Sequence, residues 1–473
     1  MMRIWLGNRF APALFYVWVI LVASACQQED QPTHSSLGAI PPSPQRAGNP
    51  ARGREALLNE PYITCGIPET AYRKIVPEPP PETLLAERRG RNAELPYYLT
   101  HYRTPDGVDL VVSNCLNCHA AFIADRFIVG LGNEQRDFTG DSRVSVESVG
   151  LYLSDPKEIE HWRRWADIIT AVAPYMRTDT VGVNPAINLT LALMAHRDPI
   201  TLDWSDEPLM EPPPEPPLPV SVPPWWRLAK KNALYNTSEG RGDHARAMML
   251  GAILCADDVE ILEKIDRYAP DIRAFFASIE PPSFPWPIDN ELAQEGQTVF
   301  ETHCSACHGT YGENDRYPNL VVGLDIVGTD PLQARAATDG SSDRFIEWFN
   351  RSFFGRLSRA APAPGYVPPP LDGIWATAPF LHNGSVPTLA ALLDSRSRPT
   401  YWVRSFDRDD YDPNAVGWRY RELSYGKQAA RDETERKRLY DTTLPGYSNQ
   451  GHTFGDDLTD RQRKALLEYL KTL

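Results

Sequence analysis

The chain opens on one continuous apolar run. Residues 10–25 are almost wholly hydrophobic, follow the basic residues Arg3 and Arg9, and end in small residues before Cys26. The run is shorter than the roughly 20 residues a membrane span needs, so residues 1–25 predict an export signal. Beyond it, helical periodicity comes in blocks. Residues 157–175 place Trp162, Trp165, Ile168, Ile169 and Val172 on one stripe. Residues 184–196, 244–255 and 259–279 read as further helices, the last interrupted by Pro270. Residues 291–300 predict a helix that runs directly into Cys304. Residues 459–473 are amphipathic through Leu466, Leu467 and Leu470, and Thr459 with Gln462 spells a capping box. Strand signals are sparse, the clearest being residues 108–112 just before Cys115. The expected fold is mainly α with long Pro-rich loops and little β.

Proline accounts for 44 of 473 residues, near twice the usual share of about 5%. It is clustered, which divides the chain. Residues 27–50 are polar and rich in Pro, Ser and Gln and read as a flexible tether. Residues 77–81 form an extended connector, and residues 208–224 predict polyproline II lying across the surface or between domains. Residues 281–287 form the best domain boundary. The expected organisation is a signal at 1–25, a lipoprotein tether and connector at 26–84, an N-terminal domain at 85–284 and a C-terminal domain at 285–473. The net charge of -14 and the lack of a basic stripe argue against nucleic acid as a partner.

Chemistry enters with Cys115-Leu116-Asn117-Cys118-His119 and Cys304-Ser305-Ala306-Cys307-His308, two copies of C-x-x-C-H. Thiols three apart project to one side of a helical turn, where both can be alkylated by the vinyl groups of one haem. The following His then presents a nitrogen to the iron. Zinc would need two more ligands near each motif, and a redox dithiol has no use for the fixed His. The expectation is two covalently bound haem c groups, held by Cys115, Cys118, Cys304 and Cys307, with His119 and His308 as iron ligands. The two domains are then cytochrome c-type haem domains in tandem.

The other cysteines follow. Ala23-Ser24-Ala25-Cys26 resembles a lipoprotein processing site with Cys26 acylated, and Ala23-Ser24-Ala25 is also an ordinary cleavage site. Either predicts an exported chain, periplasmic or anchored to the outer membrane through lipid. Cys65 and Cys255 remain, as a disulfide or as two buried thiols.

The face of each iron opposite its first His decides function. The last methionine is Met249, so the C-terminal domain cannot supply a Met ligand. His382 and His452 are its remaining imidazoles. For the N-terminal haem the candidates are His161, His196, His244 and five methionines. His244 stands out because Asp243, Arg241 and Arg246 crowd it: an Arg can polarise a bound peroxide and a His can move its protons. Trp225 and Trp226 are core packing or, between two haems, an electron relay.

The stretch from Gly365 to Ser385, with Pro379-Phe380-Leu381-His382-Asn383-Gly384, resembles the signature of dihaem cytochromes in the bacterial cytochrome c peroxidase superfamily. The pattern is closest to the dihaem rubber oxygenase branch. Gly130 to Asn133, Trp225-Trp226, Gly242 to Arg246, Cys304 to Gly309 and Gly451-His452 extend the match. The resemblance implies a bis-histidine C-terminal haem whose distal ligand lies near the chain end, favouring His452 over His382. It also implies an accessible N-terminal haem, a Trp between the haems, and calcium between the domains. The function expected is an oxidoreductase with peroxide or oxygen chemistry at the N-terminal haem, served by His244, Arg246 and Trp226, with a small redox protein as electron partner. A carrier with two six-coordinate haems and a haem-based sensing module are the alternatives.

Overall fold

The computed structural model describes residues 36–473; the signal at 1–25 and Cys26 lie outside them. Around the second motif, local signals build the elements expected. Asp289 caps the helix Asn290–His303 by accepting from the Leu292 amide. The chain passes through Cys304 into the single turn Ser305–His308, stopped by Gly309 at φ +84. The terminal helix Asp460–Leu470 starts on the full Thr459/Gln462 capping box and packs across Asn290–His303. The crossing is close enough that a Cβ on Gly296 would overlap the Ala465 carbonyl. Phe300, Leu466, Tyr469, Trp375 and Phe380 form the core beside it.

The first motif is built differently. The strand Asp109–Ser113 delivers Asn114, whose side chain accepts from the Leu116 amide and opens a 3-10 turn, Cys115–Asn117. A hairpin, Ala120–Ile123 with Arg126–Val129, follows at once. Helix geometry is therefore not needed to align these thiols, because residues three apart eclipse one another in a 3-10 turn. Asp109–Ser113 is also the middle strand of a sheet with Ile67–Pro68 and Leu99–Arg103.

Elsewhere helices prevail over strands, which among the described residues form sheets of two or three. Pro156–Val172 and Ala186–Ala195 stand where the apolar periodicity put them. Val259–Asp266 and Ala269–Ser278 are separate helices, with Pro270 in the first turn of the second.

The tether differs from its expectation from residue 36 onward. Ser36–Ala39 pairs antiparallel with Leu320–Gly323, which in turn pairs with Gly365–Tyr366. Arg46 bridges Asp243 at 3.0 Å and Asp266 at 2.8 Å. Polar composition predicted disorder, but these polar groups find long-range partners. Residues 209–224 form no regular element. They run as a strap: Ser221 donates to the His382 carbonyl at 2.9 Å, and the Trp225 amide donates to the Gly130 carbonyl at 2.9 Å. Cys65 and Cys255 form a disulfide.

Candidate haem sites

At the second motif Cys304 and Cys307 are half-buried on one turn. His308 Nδ1 lies 2.9 Å from the Pro369 carbonyl. That contact assigns the proton to Nδ1 and leaves the Nε2 lone pair free for a metal. The His452 ring faces His308 with centroids 6.2 Å apart. Two imidazoles on one iron, each with a metal–nitrogen bond of about 2 Å and roughly 1 Å more to the ring centre, stand about 6 Å apart. His382 is elsewhere, stacked on Tyr366 at 4.2 Å.

The loop that presents His452 is clamped. Arg398 donates to the carbonyls of Asn449 at 2.7 Å, Gly451 at 2.6 Å and His452 at 3.0 Å. The His452 amide donates to the Val327 carbonyl at 2.6 Å, and a Cβ on Gly451 would overlap the Gly328 backbone. Sequence reasoning missed Arg398. No local pattern marks an arginine that works by collecting carbonyls 51 to 54 residues away.

At the first motif Cys115 and Cys118 are half-buried beside fully buried Leu116. Trp225 stacks on the His119 ring at 4.8 Å, and Phe276 stacks on Trp225 at 3.5 Å. Leu234, Met248 and Tyr268 pack into the same cluster as Cys115. The Tyr62 hydroxyl donates to the Met248 carbonyl at 2.8 Å.

The sequence-proposed polar residues separate. His244 is 2% exposed, and among the described residues neither of its ring nitrogens makes a well-formed hydrogen bond, the Asn232 backbone being the nearest polar group to act on the ring. Burial, reinforced by the Arg273 charge and by Lys231, lowers its pKa to about 4, so the ring is neutral. Arg273 Nε is likewise buried without a partner. Arg246 is instead committed to Asp266 at 2.7 Å and to the Phe353 carbonyl at 2.8 Å, with its guanidinium 3.8 Å over the Phe353 ring. The charges of Arg273 and Lys231 act on the His244 imidazole, while the Arg246 guanidinium is engaged by Asp266.

Trp226 lies between the motifs. Its Nε1 donates to the Asp372 carbonyl at 2.8 Å, and Arg227 Nε donates to the same oxygen at 3.3 Å. Asp372 is three residues from Pro369, the His308 partner. Gly373, at φ +60, leaves room for the indole, since a Cβ would stand 3.0 Å from Trp226 Nε1. The consecutive tryptophans therefore touch the surroundings of both motif histidines.

The residues fit haem. Two pairs of free thiols stand beside histidines whose pKa burial lowers, to about 4 at His119 and below its usual value at His308, which favours the ligating neutral form. Arg273 and Arg136 each keep a buried Nε without an acceptor among the described residues, and Arg136 lies over the Tyr98 ring, which packs in the Cys115 cluster, so a group with carboxylate arms would find an unmet donor beside the first motif. For a further metal, the described residues offer one group, Glu69, His101 and Asp109. Its carboxylates are already paired with Arg73, Arg91 and Arg103.

Known proteins agree with the second motif. Residues 293–360 match the cytochrome c family model, and residues 365–403 match one described as RoxA-like, cytochrome c-like. Two uncharacterized proteins of Sinorhizobium fredii (strain NBRC 101917 / NGR234) are similar to this chain. One, y4iJ, is 31% identical, with 45% of each chain covered. The other, y4iM, is 29% identical over 44% of this chain and 55% of its own length. The chain thus spans about half the length of the curated relatives it matches. Residues 293–403 are thus similar to a cytochrome c domain and to a RoxA-like cytochrome c domain, a likeness that implies covalently bound haem c at Cys304, Cys307 and His308.

Proposed function

We propose that this chain is an exported dihaem oxidoreductase of the peroxidase superfamily, periplasmic or lipid-anchored at Cys26, in which the two motifs divide the work. Haem held by Cys115, Cys118 and His119 at the first motif and by Cys304, Cys307 and His308 at the second would supply redox-active iron. The observation that carries the reading is the unequal company of the two histidines. His308 has a facing imidazole, His452, whereas the ring against His119 is the Trp225 indole. A closed second site suits electron relay, and an unequal first site suits peroxide or oxygen.

His452 would be the sixth ligand of the C-terminal site, with Arg398 holding its loop. His382, packed on Tyr366, would be a structural neighbour. Around the N-terminal site His244, neutral and, among the described residues, without a well-formed hydrogen bond at its ring, is suited to take and return a proton beside Arg273 and Lys231. Arg246 positions the helix that carries His244 by gripping Asp266. Trp225 and Trp226 offer a bonded route between the sites, through the Asp372 carbonyl. A small redox protein would exchange electrons at the surface, and calcium would be a structural addition.

A carrier with two six-coordinate irons is the second reading. It is favoured by Met248, which packs in the Cys115 cluster and could offer its thioether. Carbon monoxide and cyanide titration of the haem-loaded chain separates the two. The proposal expects one high-spin ferric centre, one ligand bound per chain and peroxide turnover. Two low-spin centres that bind neither ligand would establish the carrier instead.

A further inference from the structure

We propose that Gln45 is a positioning residue for His244, so that the strap at the start of the described chain, which composition reads as a loose tether, completes the N-terminal haem site. The inference rests on the proton-carrying role proposed for His244. Gln45 touches only backbone there, and it acts by holding the turn that carries the imidazole.

His244 opens the short helix His244–Met248, and the first amides of a helix have no acceptor within it. Asp243 meets one of them by accepting from the Arg246 amide at 2.8 Å. The His244 amide is met from outside: it donates to Gln45 Oε1 at 2.9 Å. Gln45 Nε2 donates to the Gly242 carbonyl at 2.8 Å, so one carboxamide grips the backbone on both sides of Asp243. Arg46 repeats the grip on the side chain, its amide and its Nη2 each donating to Asp243 at 3.0 Å. These partners lie 197 to 199 residues apart in sequence. The turn has little slack on its other face. The Asp243 amide donates to the Leu357 carbonyl at 3.0 Å, and a Cβ on Gly242, at φ +83, would stand 2.6 Å from the same oxygen.

The imidazole does not fix its own aim. It is buried, and among the described residues its nitrogens make no well-formed hydrogen bond. Its direction is therefore set by its backbone and by packing, and a displacement of about 1 Å at a reacting group can cost on the order of a hundredfold in rate. The strap also reaches the polar neighbour of the ring. Asn232, whose backbone acts on the imidazole, donates through Nδ2 to the Ile40 carbonyl at 2.8 Å. Upstream, Ser36–Ala39 is paired with Leu320–Gly323, and downstream Arg46 is bound to Asp266 at 2.8 Å. Gln45 is thus presented from a segment held on both sides.

The test uses the haem-loaded chain with Gln45→Met, which keeps the length and removes both hydrogen bonds, and Gln45→Glu, which keeps the acceptor for His244 and loses the donor to Gly242. Ferric haem binds cyanide as the anion, so hydrogen cyanide must pass its proton to a base, whereas carbon monoxide binds ferrous haem without proton transfer. In Gln45→Met the cyanide on-rate should fall about tenfold or more, with the carbon monoxide on-rate and the Soret band unchanged. The amides of residues 244–248 should exchange faster with deuterium, and Gln45→Glu should lie between Gln45→Met and wild type. Equal slowing of both ligands, or unchanged amide exchange, overturns the proposal. An unchanged cyanide rate in Gln45→Met beside a slow His244→Ala overturns the positioning role alone. A His244→Ala variant as fast as wild type, or a wild-type chain that binds no cyanide, overturns it together with the proton-carrying role of His244.

Discussion

His452 and His382 are the same residue type in the same half of the chain, and only their neighbours distinguish them. His452 faces His308, and His382 packs on Tyr366. On the ligation proposed above, a haem at the second motif is low-spin in the wild-type chain, and His452→Ala is expected to make it high-spin, with a new ligand-binding site in optical and paramagnetic resonance spectra. His382→Ala should leave that signal in place; the reverse pattern would reassign the ligand. Glu134 makes a second residue-scale case. Burial raises its carboxyl from the ordinary 4.5 to about 7, against the Val222 amide and the Arg404 charge, which lower it. The folded chain thus holds the proton more tightly than the unfolded one. The stability this group contributes is complete below about 4.5 and is lost as pH rises through about 7, a difference of about 3 kcal/mol. Glu134→Gln should flatten the fall in denaturant midpoint across that window. Equal slopes in variant and wild type would refute the assignment.

Elements show where local chemistry suffices. The Thr459 capping box, the Pro270 break and the helix before Cys304 were legible because caps and prolines act within a turn. The 3-10 turn and hairpin at the first motif were not, since C-x-x-C-H fits either turn geometry and Asn114 had to be seen accepting from Leu116. Gly296 carries an element-scale consequence. Helix propensity alone says that Ala there should stabilise by about 1 kcal/mol. Contact with the Ala465 carbonyl says otherwise, because a Cβ would push the two helices apart. Gly296→Ala is expected to cost about 2 kcal/mol net, measured by chemical denaturation of the haem-loaded chain. A variant as stable as wild type would show that the crossing can relax.

At the scale of the whole molecule, distant segments are joined by a few strong ties. The Cys65–Cys255 disulfide spans 190 residues. A loop of that length corresponds to about 5 kcal/mol in the chain-entropy account. Cys65→Ser with Cys255→Ser should lower stability by about 4 kcal/mol or more under oxidising conditions, and a loss under 1 kcal/mol would remove the bridge from any stabilising role. Arg46 fastens the start of the described chain to Asp243, the cap of the helix that carries His244. The sequence by itself determined the C-x-x-C-H pattern of each motif and the haem chemistry expected of it, because these depend on residues one to three positions apart. It also determined the start of the last helix through its capping box, whereas the helix expected over 244–255 ends at Met248 and continues as a 3-10 turn. Only the tertiary structure decided that Cys65 meets Cys255, that His452 rather than His382 faces His308, that Arg246 is bound to Asp266, and that Arg404 is left with an unmet donor. Each of these depends on which side chains meet across tens to hundreds of residues, and packing sets that where spacing cannot.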